Sequence, residues 1–81
     1  MSPLPGLDAR NLLVGADWAV AHNDLGTLAY ISELLAQRTQ GALRADLVEL
    51  AALFRNDPDR ASRKWALVRA QVIDELATVQ P

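Results

Sequence analysis

Apolar side chains recur every three or four residues along most of this chain, and this spacing limits the fold more than any other feature. Between residues 42 and 55 it is kept throughout, with apolar residues at Leu43, Leu47, Leu50, Ala51 and Phe54. A second regular stripe includes Ala61, Trp65, Val68, Val72, Leu76 and Val79. Because an α-helix repeats every 3.6 residues, both stripes predict amphipathic helices. We expect the two stripes to share one core that includes Leu47, Leu50, Phe54 and Trp65.

Turn-forming residues divide the chain into four helical segments. The predicted helices cover residues 9–22, 25–39, 42–55 and 58–78. An extended lead-in is expected over residues 1–7, because Pro3 and Pro5 resist helix formation and Gly6 interrupts it. Short connections favour antiparallel neighbours. We therefore predict an all-α fold, a compact four-helix domain of up-down helical hairpins over residues 8–79, or a hairpin pair that completes its core only as a dimer.

Residues suited to helix ends lie at the predicted boundaries. Asp8, Asp24 and Asp57 can each accept hydrogen bonds from the free N–H groups at a helix N-terminus. Pro58 fits the first position of the last helix, where its missing N–H is not needed. Gly41 is expected to end the second helix in the left-handed conformation.

The first and last helices differ in the width of their apolar faces. The core face of the first helix is predicted to contain Ala9, Leu12, Leu13, Ala16, Ala19 and Val20. On the last helix, the main stripe is widened by Ala66, Ala70, Ile73 and Ala77. A helix that is apolar over so much of its circumference is expected to be central, with neighbours on more than one side.

Composition excludes several classes of protein. The 81 residues include no cysteine, so neither a disulfide nor a thiolate metal site is available. The net charge of −2 lacks the strong basic excess of a nucleic-acid binder. No secretory signal or membrane-length apolar run is present, which predicts a cytoplasmic protein with no membrane contact. Seven of the eight basic residues are arginine, and with abundant Ala and Leu this favours a bacterial origin.

Residues that could carry catalysis are few. His22 is the only histidine, and no serine is close to it in sequence. Asp17 and Asp24 are the nearby carboxylates, but Asp17 and His22 are five residues apart and do not share a helical face. No glycine-rich phosphate loop occurs. We predict no catalytic site, no metal site and no cofactor.

A basic region around the start of the last helix offers a possible contact for an anion or an acidic partner. Its candidate residues are Arg60, Arg63 and Lys64. They support one alternative function, a small dimeric enzyme that binds an anionic metabolite through arginines. Another alternative is weak nucleic-acid binding through the third helix, but Asp46 and Glu49 beside Arg44 would repel phosphates.

Surplus apolar residues lie outside the predicted core faces. They are Val14, Trp18 and Ala21 on the first helix and Leu67 on the last, with Val48 on the third. Trp18 could be covered by Leu4 and Leu7 of the lead-in, or by a second chain that approaches beside Gly15. The sequence therefore predicts a non-catalytic protein–protein interaction module. It would be a bacterial adaptor, co-chaperone, inhibitor or immunity-type protein that binds another protein or forms a homodimer.

Overall fold

Four consecutive α-helices make up nearly all of the computed structural model, which describes residues 6–79 and the side chains of residues 9–78. They are α1 (Gly6–Ala21), α2 (Leu25–Gln37), α3 (Gly41–Asn56) and α4 (Pro58–Val79). No strand occurs among residues 6–79. The all-α four-helix prediction is confirmed. Within the described range, every helix is too short or too polar to cross a bilayer.

The turn between α1 and α2 is built from local capping chemistry. Asn23 adopts a left-handed conformation with φ of 53°. Its N–H donates to the Val20 carbonyl at 3.2 Å, and the Asp24 N–H donates to the Ala19 carbonyl at 2.8 Å. These two bonds form a Schellman motif that ends α1. Asp24 then caps α2 as predicted, because its carboxylate accepts from the backbone N–H and the hydroxyl of Thr27.

The turn between α2 and α3 differs from the prediction. α2 ends at Gln37, two residues early. Its last carbonyls bond instead to the Arg38 guanidinium and to the hydroxyl of the buried Thr39. Gly41 has the expected left-handed φ of 65°, but it opens α3 and does not cap α2.

The starts of α1 and α4 can also be compared with the predicted boundaries. α1 begins at Gly6, so Asp8 lies within its first turn and not before it. Residues 1–5 of the predicted lead-in, and the Leu7 side chain that could have covered Trp18, lie outside the described residues. α4 begins at Pro58, where the prediction placed it. The Asp57 carboxylate accepts a long hydrogen bond of 3.4 Å from the Arg60 N–H.

The core contains apolar side chains from all four helices and is densest between α2 and α3. The expected core residues are buried in one cluster: Leu47, Leu50, Phe54 and Trp65. The rings of Phe54 and Trp65 meet edge-on with centroids 6.3 Å apart. Gly15 lets α1 approach α2, because a Cβ there would lie 3.3 Å from the Ile31 Cδ1 atom. The space that we expected a second chain to use is therefore filled by Ile31.

α4 is not the central helix that its wide apolar arc predicts. It buries one narrow stripe, Ala61, Trp65, Val68, Val72 and Leu76. Its widening residues are exposed: Ala66, Ala70, Ile73 and Ala77. The reason is that α4 packs mainly on α3 and touches α1 only lightly. The same loose contact leaves Val20 51 % exposed on α1, although its position points toward the core.

Candidate functional site: the α1/α4 face

The outward side of α1 carries a row of exposed apolar residues. Val14 is 68 % exposed and Trp18 is 54 % exposed, and the exposed Ala21 continues the row. Spacings of four and three residues place all three on one side of the helix. The exposure that the sequence predicts for these residues is therefore present in the structure.

Trp18 is partly covered by its own helix. The His22 ring stacks on the indole with centroids 4.2 Å apart and an angle of 21° between the planes. The same ring hydrogen-bonds through Nδ1 to the Trp18 carbonyl at 2.8 Å. These two contacts hold the His22 ring against its own helix. Trp18 nevertheless remains 54 % exposed.

Between α1 and α4 runs an apolar groove with a volume of about 510 Å³. Its apolar lining comes from Leu13 and Val14 on α1 and from Ile73, Leu76 and Ala77 on α4. Asp17 and Arg69 bridge the two helices through two hydrogen bonds of 2.8 and 2.9 Å. The bonds to Asp17 raise the pKa of Arg69. Arg10 on α1 lines the groove as well, so charged side chains border its apolar surface.

Leu67 lies on the outward side of α4 and is 69 % exposed. Exposed Ala66 and Ala70 lie between it and the groove. Ala66, Ala70 and Leu67 thus extend the exposed apolar surface of α4 outward from the groove that it shares with α1. We call this surface the α1/α4 face, which consists of Val14, Trp18, Ala21, Ala66, Leu67 and Ala70 with the groove between the helices.

Of the three predicted anion contacts, Lys64 already pairs with carboxylates of its own chain. The Lys64 ammonium pairs with Glu49 at 2.5 Å and with Asp46 at 3.4 Å, both on α3. The hydrogen bond between them lowers the pKa of Glu49 and raises that of Lys64. Arg60 and Arg63 are exposed and make no ion pair within the described residues. Lys64 is therefore occupied by carboxylates of its own chain.

Other polar residues do not assemble into a reactive centre among the described side chains. Ser32 is buried, and its hydroxyl donates to the Leu28 carbonyl at 2.8 Å. No group of three or more His, Cys, Asp or Glu that could hold a metal occurs among residues 9–78.

The opposite side of the bundle has a smaller groove between α2 and α3, of about 240 Å³. Val48 lies in it and is 55 % exposed, and the Arg55–Glu33 ion pair crosses it at 2.7 Å. Tyr30 on α2 is 59 % exposed. Sequence reasoning identified Val48 but missed Tyr30, whose signal was its position off the α2 apolar stripe. These two residues provide matched controls for the α1/α4 face.

Comparison with known protein families, curated proteins and solved structures finds no match to this chain.

Proposed function

We propose that this chain is a non-catalytic protein-interaction module that forms a homodimer through its α1/α4 face. The observation that carries the proposal is the half-exposed Trp18, in a row with Val14 and Ala21 beside an apolar groove. The adaptor or inhibitor type of role, the cytoplasmic location and the bacterial origin that the sequence favours belong to the same proposal.

The free energy available from Trp18 alone is large for a domain of this size. An aromatic side chain offers up to about 250 Å² of surface, and roughly 100 Å² of it remains to be covered here. At about 25 cal/mol per Å², covering it would contribute about 2.5 kcal/mol per protomer. An interior position for Trp18 would have secured this stabilisation within the monomer. Its location on the outward side of α1 is better explained by contact with another chain.

A second copy of this chain is the simplest partner for the α1/α4 face, because no other binding surface has to be assumed. Two-fold dimers are the commonest oligomers, and their interfaces use the same patch on both subunits. An apolar face on one chain is then matched by an apolar face on the other. Asp17 and Arg69 compensate each other's charge within the face, so neither of them opposes the approach of a second copy.

Sedimentation equilibrium over a wide micromolar range tests the proposal. The mass is expected to rise from 8.8 kDa toward twice that value as the concentration increases. Trp18→Glu should keep the protein monomeric over the same range, because a carboxylate would be buried against apolar surface. Tyr30→Glu is the matched control, since it makes a similar change at an equally exposed aromatic residue on α2.

Far-ultraviolet circular dichroism checks that both variants remain helical. The proposal is wrong if the parent protein stays at 8.8 kDa at every concentration. It is also wrong if Tyr30→Glu weakens association as much as Trp18→Glu does, since association would then not depend on the α1/α4 face.

A further inference from the structure

We propose that the second copy lies antiparallel on the first, with a two-fold axis at Leu67 that sets Arg60 of each copy against Asp74 of the other. This geometry rests on the proposed dimer and specifies which residues meet in it. The relevant surface is the outward row of α4, whose charges are arranged symmetrically about one exposed leucine.

Arg60, Leu67 and Asp74 are spaced by seven residues each. Seven residues make almost two helical turns, so the three side chains lie in one row on α4. All three are exposed, and Leu67 is at the midpoint. The row is therefore positive at one end, apolar in the middle and negative at the other end. Asp59 and Glu75 are also equidistant from Leu67, but they lie on opposite flanks of the helix and would not meet.

Neither end charge forms an ion pair within the described residues, although the Arg60 charge adds to the hydrogen bond from Lys64 in lowering the pKa of Glu49 on α3. The ion pairs there join different helices and involve Arg55, Lys64 and Arg69. Arg60 and Asp74 are about 21 Å apart along one rigid helix, at 1.5 Å per residue, and cannot reach each other. An antiparallel second copy would pair both charges at once. A parallel copy would oppose arginine to arginine and aspartate to aspartate, which is unfavourable.

The same axis also fits the apolar row of α1. Asp17 pairs with Arg69, and Val14 shares the groove with Ile73, so α1 and α4 run antiparallel at a known register. By this register, the level of Leu67 on α4 corresponds to a point between Trp18 and Ala21 on α1. A two-fold axis across both helices at that level places Trp18 against Ala21 of the second copy.

The contact is expected to be modest in size. Two helices side by side, each about 10 Å wide and in contact over about 21 Å, present on the order of 500 Å² per protomer. That area is at the low end for specific interfaces, so we expect a micromolar Kd and a dimer that depends on concentration.

Charge reversal tests the predicted pairing. Arg60→Asp and Asp74→Arg should each weaken the homodimer about tenfold, because each puts like charges together at two symmetric places. The double variant R60D/D74R restores both pairs and should dimerise within about twofold of the parent. An equimolar mixture of the two single variants should form heterodimers in preference to either homodimer. Both changes suit the helix dipole, so α4 should remain folded.

A cysteine at the axis gives an independent measurement. The chain has no cysteine, so Leu67→Cys introduces one thiol per copy. Its image across a two-fold axis would lie within the few ångströms that a disulfide requires. Mild oxidation should convert most of Leu67→Cys to a covalent dimer. Val48→Cys, at a similarly exposed position on α3, should cross-link only slowly.

The results of these experiments distinguish a wrong antiparallel geometry from the absence of a dimer. If Trp18→Glu abolishes association while the charge reversals and Leu67→Cys behave like their controls, the dimer stands and the antiparallel axis at Leu67 is wrong. If the single variants lose affinity and the double variant does not recover it, the pairing of Arg60 with Asp74 is likewise wrong. A parent protein that is monomeric at every concentration overturns both proposals.

Discussion

Replacing Trp65 with alanine would remove the largest side chain of the core. The indole is 5 % exposed and lies edge-on to Phe54, itself 2 % exposed. Truncation of a buried Trp costs about 3–5 kcal/mol, as the sum of lost burial and the cavity left behind. The whole stability of an 81-residue domain is on the order of 4–12 kcal/mol. The variant should therefore be close to unfolded.

Urea denaturation followed by circular dichroism measures this loss. With a slope of about 1 kcal/mol per M for a domain this small, the midpoint should fall by roughly 3–5 M, or to the point where no folded baseline is left. Trp18→Ala is the matched control, because it deletes the same side chain at a position that is 54 % exposed. Measured at a concentration where the protein is monomeric, its midpoint should shift by less than about 1 M. Equal shifts for the two variants would refute the assignment of Trp65 to the core.

Three further predictions concern the turn after α1 and the contact between α1 and α4. Asn23→Ala should lower stability by about 1 kcal/mol because of its left-handed backbone, whereas Asn23→Gly should not, and thermal unfolding of the two variants compares them. The hydrogen bonds from Thr27 lower the pKa of Asp24, so its contribution is present above about pH 4, the unfolded value, and is lost as the pH falls through the lower folded pKa. Asp24→Asn should remove that part of the acid sensitivity in urea titrations at several pH values. A double-mutant cycle on Asp17 and Arg69 should give a coupling of about 0.5–1 kcal/mol that decreases with added salt.

The helix ends that sequence reasoning placed correctly depend on local chemistry. Asp24 bonds to a residue three positions later, and Pro58 needs only its own ring at the start of α4. The predicted end of α2 is two residues late because the prediction has Gly41 as its cap, whereas Arg38 and Thr39 bond back to its last carbonyls. Two candidate end signals therefore competed at this turn, and the sequence alone did not decide between them.

Where the predicted burial of a residue is wrong, the cause is the packing between helices. The helical period gives the direction in which Val20 and Ile73 point, but their exposure depends on how closely α4 approaches α1. The Asp17–Arg69 pair joins residues 52 positions apart, and no pattern in the chain announces it. The exposed row of Val14, Trp18 and Ala21 was predictable because the helical period places it on the side of α1 that faces away from the core.

The light contact between α1 and α4 has a consequence for the order in which the protein opens. Among the described side chains of α1, the buried ones are three alanines and one leucine, Ala9, Ala16, Ala19 and Leu13, so this part of the helix has little apolar surface to lose when it detaches. In native-state hydrogen exchange, its amides should open at a lower free energy than those of α2 and α3. If a second copy covers α1, its protection should increase with protein concentration, and this helix would then owe part of its order to assembly.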